Sequence, residues 1–205
     1  MIRLHDYWRS SASYRVRIAL GIAGFSWESV PVNLLEGEHQ SQDYLTINPQ
    51  GLVPVIEMEG QRLSQSLAII EMLEERHGLG LLPGDIWERA RVRALAYAIA
   101  IDIHPICNPR VAKYAIANSG DGMTMETWMR TFIAAGFSAV EQMLSDGDHC
   151  FGDQVTLADI CLAPQVYNAV RWGVDLTPMP RIRRIATHLE SLPAFAAAHP
   201  DRQPH

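Results

Sequence analysis

Serine and arginine side chains are concentrated near the start of the chain, in WRSSASYRVRIALG (residues 8–21). Three serines and three arginines lie within residues 9–17, where an apolar helical pattern begins. Hydroxyl groups at a helix N-terminus can donate hydrogen bonds to an anion, and the positive end of the helix dipole also favours negative charge. Arginine binds carboxylates through two parallel hydrogen bonds. The stretch therefore predicts an anion site, although serines at a helix start can also be simple caps.

Other polar residues stand where a helix could present them to an anion. Gln65 and Ser66 precede a helical pattern, so Ser66 either caps that helix or lies among N-terminal amides that could bind a carboxylate. His104 precedes Pro105 inside a helical pattern, where proline removes one backbone hydrogen bond and bends the helix. Asn108 follows four residues later, which places it on the same helix face as His104.

The spacing of apolar residues predicts the elements that must position these side chains. Residues 2–8 read as a strand, and the helix that follows could be capped by Ser11 or Ser13 and closed by Gly24. Apolar and polar residues then alternate over 30–34, as in a half-buried strand. The order strand, helix, strand predicts a parallel pair with a right-handed crossover.

Two further strands are predicted at 55–58 and 61–63, joined by a hairpin turn at Glu59–Gly60 and followed by a helix. The stretch GLGLLPGD (residues 78–85) is rich in glycine and proline and marks a domain boundary. Beyond it the pattern is helical. We therefore predict an α/β domain at 1–80 and an all-helical domain at 86–205, with a long helix over 123–144, a capping box in TLAD (156–159), a helix running toward Trp172 and a short helix starting near Pro180.

Composition narrows the class of partner. The net charge of −6 argues against nucleic acid as a partner, because phosphate binding requires a basic face. The chain has no apolar run near the ~20 residues of a membrane span and no signal-peptide layout, so we expect a cytoplasmic protein with no membrane partner. Cys107, Cys150 and Cys161 form no C-x-x-C pair, which argues against a disulfide framework and against a metal site.

Several motifs, taken together over nearly the whole chain, resemble the cytosolic glutathione transferases. The resemblance is closest to the zeta class, which includes maleylacetoacetate and maleylpyruvate isomerases. It implies a thioredoxin-like N-terminal domain that binds glutathione, an all-α C-terminal domain that shapes the substrate pocket, and a homodimer. The implied reaction is cis–trans isomerisation of a maleyl keto acid by reversible addition of the glutathione thiolate. The motifs are RSSASYRVRIAL, NPQGLVPV, QSLAIIEMLEE, DIHPICNPRV, FGDQVTLADICLAPQV and VDLTPMPRI.

The resemblance also implies roles for single residues toward glutathione. Ser10, with Ser11 beside it, is expected to contact the thiolate. The implied isomerisation needs no metal. The pair Gln65–Ser66 is expected to bind the γ-glutamyl carboxylate. The remaining expected contacts are Val53 and Pro54 at a cis-proline turn for the cysteinyl unit, His39 or Gln40 for the glycyl end, and His104, Asn108 and Arg110 from the helical domain.

Three arginines match arginines of the maleylpyruvate type. Arg9, Arg110 and Arg171 are the candidates for holding the two substrate carboxylates and for stabilising the enolate, although each could instead form a surface salt bridge. Arg171 shares a helical stripe with Pro164 and Tyr167, so it can point inward. Arg15 and Arg17 are expected to be structural.

One position departs from the animal isomerases, which carry serine-serine-cysteine-serine in the first motif. Ala12 replaces the cysteine here, as in the maleylpyruvate type, so no protein cysteine need act as the nucleophile. Two other functions stay open at this point. One is a glutathione transferase that conjugates or dehalogenates small electrophiles such as haloacids. The other is a binding module with the transferase fold and no activity.

Overall fold

The computed structural model describes residues 1–120 and 122–204. The chain forms two compact units. The first contains Met1–Gly80 together with the chain from Leu192 onward, and the second contains Leu81–Ser191. The division after Gly80 falls inside the predicted boundary stretch. The predicted helical domain of 86–205 differs at its end, because residues 192–204 belong to the first unit.

A four-stranded sheet forms the centre of the first unit, with the strand order β2-β1-β3-β4. β1 and β2 pair in parallel, as the strand–helix–strand order predicted, and β3 pairs antiparallel with both β1 and β4. Glu59 and Gly60 both have positive φ, 53° and 77°, which is the backbone of a tight hairpin turn. The strands are β1 (Ile2–Asp6), β2 (Trp27–Pro31), β3 (Val55–Met58) and β4 (Gln61–Ser64).

Helices make up most of the remaining chain. The long predicted helix, the helix toward Trp172 and the helix near Pro180 are all present, as α7, α8 and α9. The α-helices are α1 (Ser11–Ile22), α2 (Gln42–Ile47), α3 (Ser66–His77), α4 (Ile86–Tyr97), α5 (His104–Ile106), α6 (Pro109–Asn118), α7 (Met125–Met143), α8 (Leu157–Arg171), α9 (Pro180–Ser191) and α10 (Pro193–Ala198). A π-helix spans Ala98–Ile103, and 3-10 turns span Glu38–Gln40 and Pro200–Arg202. No helix among the described residues is both long and apolar enough to cross a membrane.

The end of the chain packs against α1. The Tyr14 hydroxyl donates to the Phe195 carbonyl at 3.4 Å, and the Phe195 side chain is buried. A Cβ atom at Gly21 would lie 3.3 Å from the Ala194 Cβ, so α1 and α10 approach closely at this glycine. Helix α10 therefore packs closely on α1 near Tyr14 and Gly21.

The helical unit is organised by local caps. The Thr156–Asp159 capping box begins α8 as predicted, and Asp159 is fully buried there. Its carboxylate accepts hydrogen bonds from the Thr156 amide at 2.8 Å, the Thr156 hydroxyl at 2.7 Å and the Cys150 amide at 2.7 Å. One aspartate thus fixes both the start of α8 and the loop that precedes it.

Candidate active site

Ser10 is the N-cap of α1, in place of Ser11 or Ser13, which the sequence favoured. Its Oγ atom accepts a hydrogen bond from the Ser13 amide at 3.2 Å, and its extended backbone lies outside the helix. A hydroxyl group has one proton to donate in addition to its lone pairs. Capping therefore leaves the Ser10 proton available to an anion at the helix N-terminus. Ser11, the first residue of α1, is buried beside it.

Arg9 is held by two aromatic residues. One guanidinium nitrogen donates to the Tyr7 hydroxyl at 3.1 Å, and the guanidinium carbon lies 4.5 Å from the centre of the Trp8 ring. The Arg9 Nε atom is buried and has no hydrogen-bond partner among the described residues. Stacking fixes the plane of the guanidinium while donors remain for a carboxylate.

The start of α3 has an unusual backbone. Gln65 has φ 73° and ψ 109°, and its side chain makes no capping hydrogen bond to the helix. A non-glycine residue with positive φ indicates a conformation that the surrounding structure imposes. The first turn of α3 contains no acidic residue, so its amides and the positive end of its dipole can stabilise an anion.

A buried arginine contacts the first residue of α3. Arg15 of α1 is 2% exposed, and its guanidinium donates to the Ser66 Oγ atom at 3.3 Å. Ser66 is itself buried, so the hydrogen bond lies in a low-dielectric region. The charge of Arg15 adds to the dipole of α3 and makes the site more favourable for a carboxylate.

The loop before β3 is fixed by side chains. The Leu52 carbonyl accepts hydrogen bonds from the Tyr44 hydroxyl and from the Asn48 amide, each at 2.7 Å. Burial raises the pKa of Tyr44, so its hydroxyl stays protonated as a donor. The Val53–Pro54 peptide bond is cis, as the resemblance implied.

Hydrogen bonds join this loop to the other predicted contacts of the first unit. The Gln40 Nε2 atom donates to the Gly51 carbonyl at 3.1 Å. The Gln65 Nε2 atom donates to the Gln50 Oε1 atom at 2.8 Å. Gly51 has φ 61°, and a Cβ there would collide with the Gln40 amide, so only glycine fits. His39 is half-buried next to Gln40. The structure thus links Gln40, the loop and the start of α3.

The segment around His104 and Asn108 is not one helix. Helix α5 ends at Ile106, and Asn108 is an extended N-cap whose Oδ1 accepts from the Arg110 amide at 2.9 Å. The expectation that His104 and Asn108 share a helix face is therefore wrong. The physical reason is Pro109, which disfavours helical backbone at the residue before it and is well suited to begin a new helix.

Arg110 and Arg171 occupy opposite kinds of helix end. Arg110 lies in the first turn of α6, where the dipole disfavours a cation, and its side chain is exposed. Arg171 is the last residue of α8, where a cation is favourable, and its guanidinium carbon lies 4.7 Å from the centre of the Trp172 ring. Arg171 is exposed, whereas Pro164, two turns earlier on the same helix face, is buried, so the side chain of Arg171 lies at the solvent end of that face. Helix stability thus explains the position of Arg171 but not that of Arg110.

The cysteines are buried thiols. Burial raises the pKa of Cys107 to about 11, and burial together with the nearby Asp159 raises the pKa of Cys150 well above its ordinary value. Cys161 is also buried. Within the described part of the chain, no three His, Cys, Asp or Glu side chains are grouped so that they could hold a metal ion.

Three residues contact the candidate site residues although the sequence did not predict them as part of the site. Tyr7 binds Arg9, Gln50 binds Gln65, and Arg15 binds Ser66. The sequence carried a signal only for Arg15, a charged residue in a helix whose neighbouring positions are apolar. The contacts of Tyr7 and Gln50 depend on loop geometry, which has no periodic signal.

Comparison with known proteins places both halves of the chain in one family. The model of the glutathione S-transferase N-terminal domain matches residues 1–75, and that of the C-terminal domain matches residues 126–191. The maleylacetoacetate isomerase of Rhizobium meliloti is 53% identical over 97% of this chain and 96% of its own. The maleylpyruvate isomerase of a Ralstonia species is 44% identical over 99% of each chain.

Solved structures agree with these relatives. A bacterial zeta-class maleylpyruvate isomerase in its holo form superposes with a TM-score of 0.94 at 44% identity, covering 98% of each chain. A maleylacetoacetate isomerase of Methylobacterium extorquens, solved with bound malonate and glutathione, gives a TM-score of 0.92 at 39% identity, again over 98% of each chain. The chain therefore belongs to the glutathione transferases, in the zeta-class family of maleylacetoacetate and maleylpyruvate isomerases.

Proposed function

We propose that this protein is a glutathione-dependent isomerase that converts the cis double bond of a maleyl keto acid to the trans, fumaryl form. Its relatives at 53% and 44% identity are named maleylacetoacetate isomerase and maleylpyruvate isomerase. The observation on this chain that carries the proposal is the start of α3, which lacks a side-chain cap from Gln65 and is backed by the buried guanidinium of Arg15.

The residues of the first unit fit glutathione by their chemistry. The α3 amides, with Gln65 and Ser66, suit the γ-glutamyl carboxylate, because they present donors and positive charge without an acidic neighbour in that turn. Val53 and Pro54 are proposed to bind the cysteinyl unit, and His39 or Gln40 the glycyl end. Structures of relatives were solved with glutathione bound in the active site.

Glutathione, when bound, supplies the thiolate that adds to the conjugated double bond and later leaves, so that rotation can occur while that bond is single. Ser10 donates a hydrogen bond from its hydroxyl group to the sulfur anion and keeps the sulfur ionised, and the N-terminus of α1 adds its dipole. Ser11 completes this helix start. Cys107 and Cys150 are unsuited to the role, because burial raises the pKa of each thiol and keeps it protonated.

Arginines hold the diacid during rotation. Both substrate carboxylates are ionised near neutral pH, since carboxyl pKa values lie near ~4. Arg9 is pre-oriented by Tyr7 and Trp8, and Arg110 is a cation that helix stability does not require. We propose that Arg9, Arg110 and Arg171 bind the carboxylates and stabilise the enolate. His104 and Asn108 are proposed to contact bound ligand.

The oligomeric state and the cellular compartment are also part of the proposed function. We propose a homodimer in the cytoplasm, with no nucleic-acid or membrane partner. The exposed, adjacent Ile86 and Trp87 at the start of α4 support a protein contact, since large exposed apolar groups mark interaction surfaces. Light scattering coupled to size exclusion measures the mass, and a monomer across micromolar concentrations would contradict the dimer.

The decisive experiment is turnover of maleylpyruvate and of maleylacetoacetate by purified protein, with and without glutathione. We expect isomerisation of at least one acid only when glutathione is present, and the ratio of kcat/KM values identifies the preferred acid. Full activity without added or copurified glutathione would overturn the proposal. Conjugation of haloacids in place of isomerisation would favour a transferase or dehalogenase.

A further inference from the structure

The segment that carries His104, Asn108 and Arg110 is irregular at two points. A π-helix spans Ala98–Ile103 immediately before His104, and the chain leaves helical geometry again between α5 and α6. Pro105 and Pro109 have no backbone N–H to contribute to a helix. The internal hydrogen bonds of such a segment hold it less firmly than those of a continuous helix, so contacts from outside must fix its position.

The first outside contact is a notch in α7. A Cβ atom on Gly136 would collide with the Ile103 side chain, which is buried. Gly136 lies inside α7 with no positive φ, so the helix backbone itself does not require glycine there. Glycine also weakens a helix interior. The space for Ile103, the residue immediately before His104, is the structural use of this glycine.

The second contact lies on the other side of His104. The Trp128 indole N–H of α7 donates to the Ile106 carbonyl at 2.9 Å. Ile106 ends α5, and carbonyls at a helix end have no partner within the helix. The Trp128 ring is held by Phe132, with 4.5 Å between ring centres. Trp128, Phe132 and Gly136 are four residues apart and form one row along α7.

We propose that this row on α7 is the positioning device of the substrate-contacting segment, with Gly136 and Trp128 as positioning residues for His104, Asn108 and Arg110. The inference rests on the proposed isomerase function. The row fixes the chain at Ile103 and at Ile106, on either side of the His104–Pro105 pair. A shift at either point moves the three side chains without removing any of them, and small displacements of ligand-contacting groups lower turnover strongly.

The test is an exchange of side-chain size between the two helices. We expect Gly136→Ala to lower kcat/KM for the maleyl acid at least tenfold, and Gly136→Ala combined with Ile103→Ala to recover a substantial part of that loss. Gly84→Ala is the matched control, because a Cβ there meets nothing within 4 Å. Wild-type kinetics for Gly136→Ala, or no recovery in the double variant, would overturn the inference.

Trp128→Phe provides a second measurement that does not depend on how Gly136→Ala folds. It removes the indole donor and keeps an aromatic ring, and Trp27→Phe is the control, because Trp27 lies at the start of β2, outside α7 and the proposed site. We expect a several-fold lower kcat/KM only for Trp128→Phe, with melting temperatures alike, and equal kinetics in the two variants would overturn the inference. Failure of the proposed isomerase function can be told apart from failure of this inference, because in the first case the wild-type protein itself would not isomerise the acid.

Discussion

Ser10 combines two roles in one hydroxyl group. Its oxygen accepts the Ser13 amide, which fixes the first turn of α1, and its proton is free to stabilise a bound anion. The capping and catalytic interpretations of the serines are therefore compatible. The cap also orients the hydroxyl before any ligand arrives, which lowers the cost of stabilising the thiolate.

Removal of the Ser10 hydroxyl tests the catalytic role. We expect Ser10→Ala to lower kcat about 10²–10³-fold, the usual effect of losing one donor to a developing anion. Steady-state kinetics at saturating glutathione measures it. Ser41→Ala is the control, because Ser41 caps α2 with the same 3.2 Å bond to the Tyr44 amide. Equal losses of activity in both variants would mean that Ser10 acts only as a cap.

Cys107 offers a prediction on pH. Because burial raises its pKa to about 11, the thiolate is a minor species at pH 7.5. We expect native protein to resist iodoacetamide at that pH, with alkylation accelerating as the pH rises toward 11, and urea-unfolded protein to react at once. Peptide mass spectrometry locates the label. Rapid labelling of Cys107 in native protein at pH 7.5 would contradict the buried, protonated thiol.

At the scale of elements, helix ends place most of the candidate residues. Ser10, Gln65 and Asn108 are N-caps, and Ser66 and Arg110 lie in first turns. Helix N-termini concentrate amide donors and positive potential, so they suit a ligand with several carboxylates. The Gln65 cap lacks a side-chain hydrogen bond to its helix, whereas the Ser10 and Asn108 caps have one.

The α8 capping box is expected to contribute to stability and not to catalysis. Asp159→Ala removes three hydrogen bonds to a buried carboxylate, and we expect it to lower the free energy of unfolding by about 3 kcal/mol or more. Urea denaturation measures the change. Asp175→Ala, which removes an exposed carboxylate bonded to the Thr177 amide, should have a much smaller effect. Similar losses in the two variants would show that burial does not decide the strength of the cap.

At the scale of the whole molecule, the last residues of the chain return to the first unit. Arg17 is fully buried and donates to both carboxylate oxygens of Asp6, at 2.8 and 2.7 Å. It also donates to the carbonyls of Trp8 and Ala198 at 3.0 and 3.1 Å. One side chain thus joins β1, the loop that carries Arg9, α1 and the end of α10.

Loss of this guanidinium should unfold the first unit more easily. We expect Arg17→Met to lower the free energy of unfolding by about 3–5 kcal/mol, because it leaves the Asp6 carboxylate buried without its partner. Adding Asp6→Asn should recover part of the loss. Arg76→Met, at an exposed ion pair with Glu59, should cost less than about 1 kcal/mol. Equal urea midpoints for Arg17→Met and Arg76→Met would contradict this account.

The sequence by itself determined the features that depend on neighbouring residues. The parallel β1–β2 unit, the Glu59–Gly60 hairpin, the Thr156–Asp159 box and the boundary near Gly80 all follow from local spacing and turn chemistry. The family motifs added the cis peptide at Pro54, which composition alone disfavours.

Only the tertiary structure decided which distant residues meet. The Arg15–Ser66 and Gln50–Gln65 hydrogen bonds, the notch at Gly136 and the packing of α10 on α1 join residues far apart in the chain. Such contacts depend on how elements pack in three dimensions, and no periodic pattern along the chain encodes them.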